Sequence, residues 1–193
     1  GSFATYTPSD NFNGSDSFTF MVSDGELTDT DTVTLTIEAI NDAPVLAGVS
    51  DVSFDEDGSE NIVLSASDID EDNLTFSITE GTDITASLSG SDITFSAPDD
   101  FNGSEAFTIT VSDGELTDSQ SITVTVNAVN DAPVLSEIGN LSTDEDEALI
   151  ILLSTYDVEG DVLIYSISDG ENISVTLNET ELTFSPSNNF YGT

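Results

Sequence analysis

The residues able to do chemistry in this sequence are carboxylates. Asp68-Ile69-Asp70-Glu71-Asp72-Asn73 sets three aspartates at alternate positions, and Asp55-Glu56-Asp57 forms a second acidic run. These residues return further along: Asp68 as Asp157, Asp70 as Glu159, Asp72 as Asp161, Asp42 as Asp131 and Asp24 as Asp113. Asp55-Glu56-Asp57 returns as Asp144-Glu145-Asp146. Carboxylates, Asn side chains and backbone carbonyls, with no imidazole or thiolate, form a donor set for a hard cation that takes six to eight oxygens. Calcium therefore leads over magnesium. Acids such as Asp51, Glu60 and Asp83 do not recur and read as ordinary surface charge.

The charge balance supports a cation. The 193 residues hold 39 Asp plus Glu and no Lys, Arg or His, for a formal charge of −39. Two carboxylates about 4 Å apart at an effective dielectric near 20 repel by roughly 4 kcal/mol. Several such pairs would use up much of a domain's stability of roughly 5–15 kcal/mol, and no basic side chain exists to offset them. A salt-adapted acidic surface would put its acids on outward strand positions, but those positions are mostly Thr and Ser. The segment from Asp68 fails as an EF-hand loop, because its sixth position is Asn73 and its twelfth is Thr79.

The same composition excludes several functions. Without Lys or Arg, nucleic acid and anionic membranes are not partners. There is no imidazole base, Schiff-base lysine or phosphate clamp, and no Cys for disulfides or thiolate zinc sites. The longest aliphatic run, 148–153, is too short for membrane insertion. Paired carboxylates could serve a glycosidase, but an acid/base pair needs two differing environments, and these acids are multiplied along a repeat. The sequence reads as a non-enzyme. A carbohydrate-binding module is a weaker alternative, since there is no Trp to offer a sugar platform.

The elements that must position these acids are strands. Thr32-Val33-Thr34-Leu35-Thr36-Ile37, Phe107-Thr108-Ile109-Thr110-Val111 and Ile122-Thr123-Val124-Thr125-Val126 alternate apolar and polar residues, the mark of half-buried strands. The chain repeats with an offset of 89: Asn41-Asp42-Ala43-Pro44-Val45-Leu46 becomes Asn130-Asp131-Ala132-Pro133-Val134-Leu135. A unit of this length with about seven short strands fits an Ig-like sandwich. In the complete copy the expected strands lie near 45–48, 51–54, 61–67, 74–79, 83–88, 92–97, 106–112 and 119–128. The fold expected is all-β: tandem antiparallel sandwich domains divided as 1–42 (C-terminal part of a first copy), 43–131 (a complete copy) and 132–193 (N-terminal part of a third). Either a longer array continues on both sides, or the open ends of neighbouring copies complete one another in a filament.

These residues resemble the cadherin repeat, and more closely the bacterial cadherin-like repeats found in tandem in large adhesins. Leu64 to Ile78 looks like the family's A-x-D-x-D-x-D stretch running into a strand. Ile109 to Gly114 looks like its V-x-A-x-D-G stretch, and Val124 to Leu135 like its linker. The resemblance implies calcium between successive domains. One junction would use Asn41 and Asp42 with Asp68, Asp70 and Asp113. The next would use Glu56 with Asp99 or Asp100, then Asn130 and Asp131 from the linker, and Asp157 and Glu159 beyond it. Ala39 and Ala128 stand where the family has Asp, so one or two ions per junction are expected rather than three. The resemblance further implies an extracellular spacer in a bacterial surface adhesin or filament. Its partners would be neighbouring repeats, or neighbouring copies, with cell-surface or glycan ligands met through other parts of the parent protein.

Overall fold

A computed structural model describes residues 3–168 and 170–192. It divides into two compact units, Gly1–Asn127 and Ala128–Thr193. Every regular element among the described residues is a strand, as the alternating pattern requires. Among the described residues, no helix is long and apolar enough to cross a membrane.

Unit 1 opens with a hairpin of β1 (Gly14–Ser23) and β2 (Thr28–Ile37), paired from Gly14↔Ile37 to Ser23↔Thr28. Its turn is built by Asp24, whose Oδ1 accepts the N–H groups of Glu26 and Leu27 at 2.9 and 2.7 Å. Gly25 supplies the positive φ of 98° that the turn needs.

The complete repeat follows. Its strands are β3 (Val45–Leu46), β4 (Val52–Asp55), β5 (Ser59–Val63), β6 (Ala66–Ser67), β7 (Thr75–Ile78), β8 (Thr85–Ser89), β9 (Asp92–Ser96), β10 (Gly103–Ser112) and β11 (Thr117–Asn127). They form one sheet in the order β4-β11-β10-β7, a second in the order β5-β9-β8, and a short β3-β6 pair. All ladders run antiparallel except β11–β4, which is parallel. The stretch expected as one strand over 61–67 is two. Leu64 is buried and its N–H bonds Ser91 O at 2.8 Å, while Ser65 O accepts from Ala47 at 2.9 Å. The chain thus changes partners in the middle of the segment, from β9 to β3.

Alternate residues of both sheets meet in one core: Ile93 and Phe95 from β9, Phe107, Ile109 and Val111 from β10, and Ile122, Val124 and Val126 from β11. Phe95 and Phe107 make an edge-to-face contact with centroids 5.4 Å apart. Gly81 is fixed by crowding: a Cβ there would run into Ile84 O, the Glu105 carboxylate and the Phe107 ring.

Unit 2 comprises β12 (Val134–Leu135), β13 (Leu149–Leu152), β14 (Thr155–Tyr156), β15 (Ile173–Asn178) and β16 (Glu181–Pro186). They are ordered β13-β16-β15, with a β12-β14 pair, so they reproduce β5-β9-β8 and β3-β6. Segments 141–144 and 164–167, the counterparts of β4 and β7, form no ladder. Their partners would correspond to β10 and β11, and the β10 counterpart only begins at Gly192. Burial follows the pairing. Leu46 and Ile84 are 8% and 1% exposed in the complete repeat, and their counterparts Leu135 and Ile173 are 55% and 37% exposed.

Packing this different predicts different sensitivities. Phe107→Ala should destabilise unit 1 by about 3–5 kcal/mol, the usual cost of emptying a buried aromatic site. Phe20→Ala, on the exposed counterpart hairpin, should cost about 1 kcal/mol or less. Urea denaturation of the two variants measures both.

Candidate metal centre

Within unit 1, backbone hydrogen bonds gather the acids expected at the first junction. Asp68 ends the β6 segment, and its Oδ1 accepts from the N–H of Asp70 at 2.9 Å and of Asp72 at 3.4 Å. This folds the alternating aspartates into a tight loop, in which Glu71 takes a positive φ of 60°. Asp70 Oδ2 accepts from the N–H of Asp42 at 2.8 Å, so the loop grips the linker. Asn41, the neighbouring linker residue, donates from Nδ2 to Asp113 Oδ2 at 2.9 Å. Asn41, Asp42, Asp68, Asp70 and Asp113 are therefore tied into one connected network. Asn41, Asp70, Asp72 and Asp113 line an open cleft of about 560 Å³.

One atom in this network is left over. Asp68 Oδ2 is buried and accepts no hydrogen bond. A buried carboxylate oxygen without a donor costs free energy on the order of a few kcal/mol. No ammonium, guanidinium or imidazolium exists in the sequence to satisfy it. The surrounding oxygen donors fit a hard divalent cation and no soft one.

Asp113 serves two partners. Its Oδ1 closes the β10–β11 turn by accepting from Glu115 and Leu116, both at 2.7 Å, and its Oδ2 faces Asn41. The Leu116 N–H, then that of Glu115, then the Asn41 amide hold its carboxyl below the usual carboxylate range. Asp24 makes the same turn and is likewise lowered, by Leu27 and then Glu26. Glu105 is lowered by the Asp83 N–H first; it also accepts from Thr82, at 2.9 Å.

The donors expected at the second junction are described within their own units. In unit 1, Glu56 is buried, and its N–H bonds Asn127 O at the end of β11 at 2.9 Å. Asp99 is exposed in the turn after β9. Asp100 takes a positive φ of 59°, and its N–H bonds Asp57 Oδ1 at 3.1 Å. In unit 2, the Asp131 N–H bonds Glu159 Oε1 at 3.3 Å, and Asp157 Oδ1 accepts from Asp161 at 2.9 Å. Both contacts repeat the Asp42–Asp70 and Asp68–Asp72 contacts at the 89-residue offset. Asn130 differs from Asn41, since its Nδ2 bonds the carbonyl of Asp131 at 2.9 Å.

Some acids do work that residue spacing did not reveal. Asp57 caps the Asp100 turn, and Asp146 repeats this on Asn189 at 2.8 Å. Asp118 Oδ2 accepts from Leu46, and Asp51, read from the sequence as surface charge, accepts from Thr123 N–H at 2.8 Å. A carboxylate one strand away from an unpaired amide leaves no periodic signature. The recurrences of Asp29 as Asp118 and of Asp57 as Asp146 were the signals available.

Comparison with known proteins places the chain. The model of the bacterial Ig domain matches residues 1–36, 41–125 and 130–193, so the chain belongs to that family. Chitinase A of Pseudoalteromonas piscicida is 30% identical over 135 residues, 68% of this chain; the chain spans only 16% of that protein's length. Among solved structures, cadherin domains 1–5 of protocadherin gamma B2 align over 91% of this chain and 40% of theirs, with a TM-score of 0.50 and 16% identity. Human protocadherin-24 EC1-2 aligns over 77% and 79%, with a TM-score of 0.44 and 19% identity. The protein is an array of Ig-like domains with a cadherin-like fold.

The lowered carboxyl of Asp113 carries a pH signature. A carboxyl whose pKa is lower folded than unfolded contributes stability that is full above the unfolded value and drains as pH falls through the folded one. Wild-type protein should therefore lose stability as pH drops from just above 3.8. Asp113→Asn should be less stable near pH 7 and show a shallower acid loss, read by thermal melts across the pH range.

Proposed function

We propose that this chain is an extracellular, calcium-stiffened spacer from a bacterial surface adhesin or filament. The observation that carries the reading is Asp68 Oδ2, buried without a donor in a chain that has no basic side chain. Asp68, Asp70 and Asp113 would hold the ion, with oxygens from Asn41 and Asp42. By the 89-residue offset, Asp157, Glu159, Asn130 and Asp131 would form the equivalent set with Glu56, Asp99 and Asp100. Under this reading the repeats divide at 1–42, 43–131 and 132–193.

The mechanism is electrostatic. Without calcium, the Asp68 loop and the carboxylates beside Asn41 and Asp42 repel, and only single hydrogen bonds hold the linker. Bound calcium offsets that repulsion and joins the Asp68 loop to the linker oxygens. Pro44 and Pro133, with φ fixed and no N–H to donate, stiffen the segment that follows. Extracellular calcium modules bind with Kd of roughly 10⁻⁴–10⁻³ M, so such sites fill outside a cell and empty in the cytosol. The chitinase relative supports a second placement for the same spacer, as part of a larger chitin-degrading protein.

Thermal melts against calcium test the reading. About 10 mM calcium acting on a site with Kd near 1 mM should add about 1.4 kcal/mol, and EDTA should reverse it. Asp68→Asn should remove the gain from unit 1. Equal stabilisation by sodium chloride at matched ionic strength would reject the proposal. Small-angle scattering should show a larger maximum dimension with calcium than with EDTA.

A further inference from the structure

Two asparagines in the chain precede a glycine. Asn13-Gly14 and Asn102-Gly103 occupy the same position of the repeat at the 89-residue offset. Gly14 opens β1 with a φ of +125°, and Gly103 opens β10 with a φ of +156°. A Cβ at Gly14 would meet only the Phe12 ring, at 3.9 Å. The backbone conformation, and not lack of space, therefore requires glycine there. Asn41 and Asn130 precede Asp, and Asn73 precedes Leu.

Asparagine is a thermolabile residue, and a following glycine favours its conversion, because no Cβ hinders the approach of the next amide nitrogen. The Gly14 nitrogen forms a bond to Asn13 Cγ, the Cγ–Nδ2 bond breaks, and ammonia leaves. Water then adds to one of the two carbonyls of the cyclic imide and opens it to aspartate or isoaspartate. The sum is amide plus water giving carboxylate plus ammonium, with no oxidant, reductant or other catalyst. Asn13 and Gly14 are both exposed. Gly14↔Ile37 is the outermost pair of its ladder, so fraying of one pair frees the Gly14 amide. Asn102 is exposed in the complete repeat as well, so the reactive pair belongs to the repeat and not to one copy of it. In the third copy Tyr191 precedes Gly192 and the reaction is impossible.

The location of Asn13 gives this chemistry a consequence. Asn13 lines the open cleft of about 560 Å³ with Asn41, Asp70, Asp72 and Asp113. It also lines a neighbouring cleft with Asp42 and Asp70. We infer that Asn13-Gly14 is a self-modification site, at which the Asn13 amide converts to a carboxylate and adds a charged oxygen to the cation cleft. As an amide, Asn13 offers that cleft a neutral oxygen. After conversion it brings a full negative charge. Calcium affinity rises with the number of charged ligands, and so does repulsion among the carboxylates when the ion is absent. Conversion therefore widens the difference between the ion-free and the ion-bound linker. The change runs one way, so it records the age of the protein after synthesis. The effect on the ion rests on the calcium reading; the conversion itself does not.

Peptide mapping by mass spectrometry tests the conversion, after incubation of the 193-residue chain at neutral and mildly alkaline pH. The mass gain of an amide-to-acid exchange should appear at Asn13 and Asn102 and grow faster at the higher pH. Asn41, Asn73 and Asn130 should stay unchanged over the same period. An unchanged Asn13, under conditions that convert a short peptide of the same residues, overturns the inference. Calcium titration calorimetry tests the consequence. Asn13→Asp should bind calcium about tenfold more tightly than fresh wild type, and the difference should vanish in an Asp68→Asn background. Asn13→Gln, which keeps the amide but closes the ring far more slowly, should match fresh wild type and not tighten with incubation. Equal affinity of Asn13→Asp and wild type overturns the regulatory role. If neither binds calcium, the calcium reading and the regulatory role fall together, and the conversion is decided by the mass gain.

Discussion

The structure depends on one constraint: its carboxylates must be stabilised in a chain that carries no cationic side chain. Backbone amides do most of this work. Asp24 and Asp113 close their hairpin turns with paired N–H donors. Glu105 takes the amides of Thr82 and Asp83. Asp68 and Asp70 fold their loop and grip the linker in the same way. A hydrogen bond to the charged form favours that form, so Asp24, Asp113 and Glu105 are held below the usual carboxylate range while ordering the chain around them. This arrangement turns a surplus of charge into turn and linker geometry. It runs short at Asp68, where one oxygen is buried beyond the reach of any amide. That shortfall is why the acids here are read as cation ligands as well as structural caps.

A second constraint governs the apolar residues. A sandwich strand buries its inward side chains only when the opposite sheet and its ladder neighbours are both present. The complete repeat meets this condition, and β9, β10 and β11 form a core with several side chains at zero exposure. Near-identical residues in β1–β2 and in unit 2 lack one of those neighbours and stay half open. The same sequence pattern therefore gives a sealed core in one place and more exposed apolar side chains in others. Stability should accordingly be concentrated where the core is sealed, with opening easier at β1–β2 and in unit 2.

The alternation of Val, Ile and Phe with Thr and Ser revealed the strands, and the 89-residue offset revealed which acids mattered. Most of the expected strands lie within two or three residues of the observed ones. The exception, 61–67, was continuous in pattern but divided in space, because Leu64 and Ser65 bond different neighbours. Spacing did not reveal the partners of Asp51, Asp57 and Asp118. Their targets, Thr123, Asp100 and Leu46, are brought close only by sheet pairing across 72, 43 and 72 residues.

By itself the sequence determined the fold class, the period, and the hardness of any cation that the acids hold. Each of these follows from local composition and alternation. Only the tertiary structure decided that Asp113 divides its two oxygens between a turn and Asn41, and that Asp68 keeps one oxygen buried and unsatisfied. It alone showed which copies of a repeated hairpin are covered. Hydrogen-bond partners and burial depend on contacts between distant segments, and a repeat that looks the same in sequence differs in structure wherever its neighbours differ.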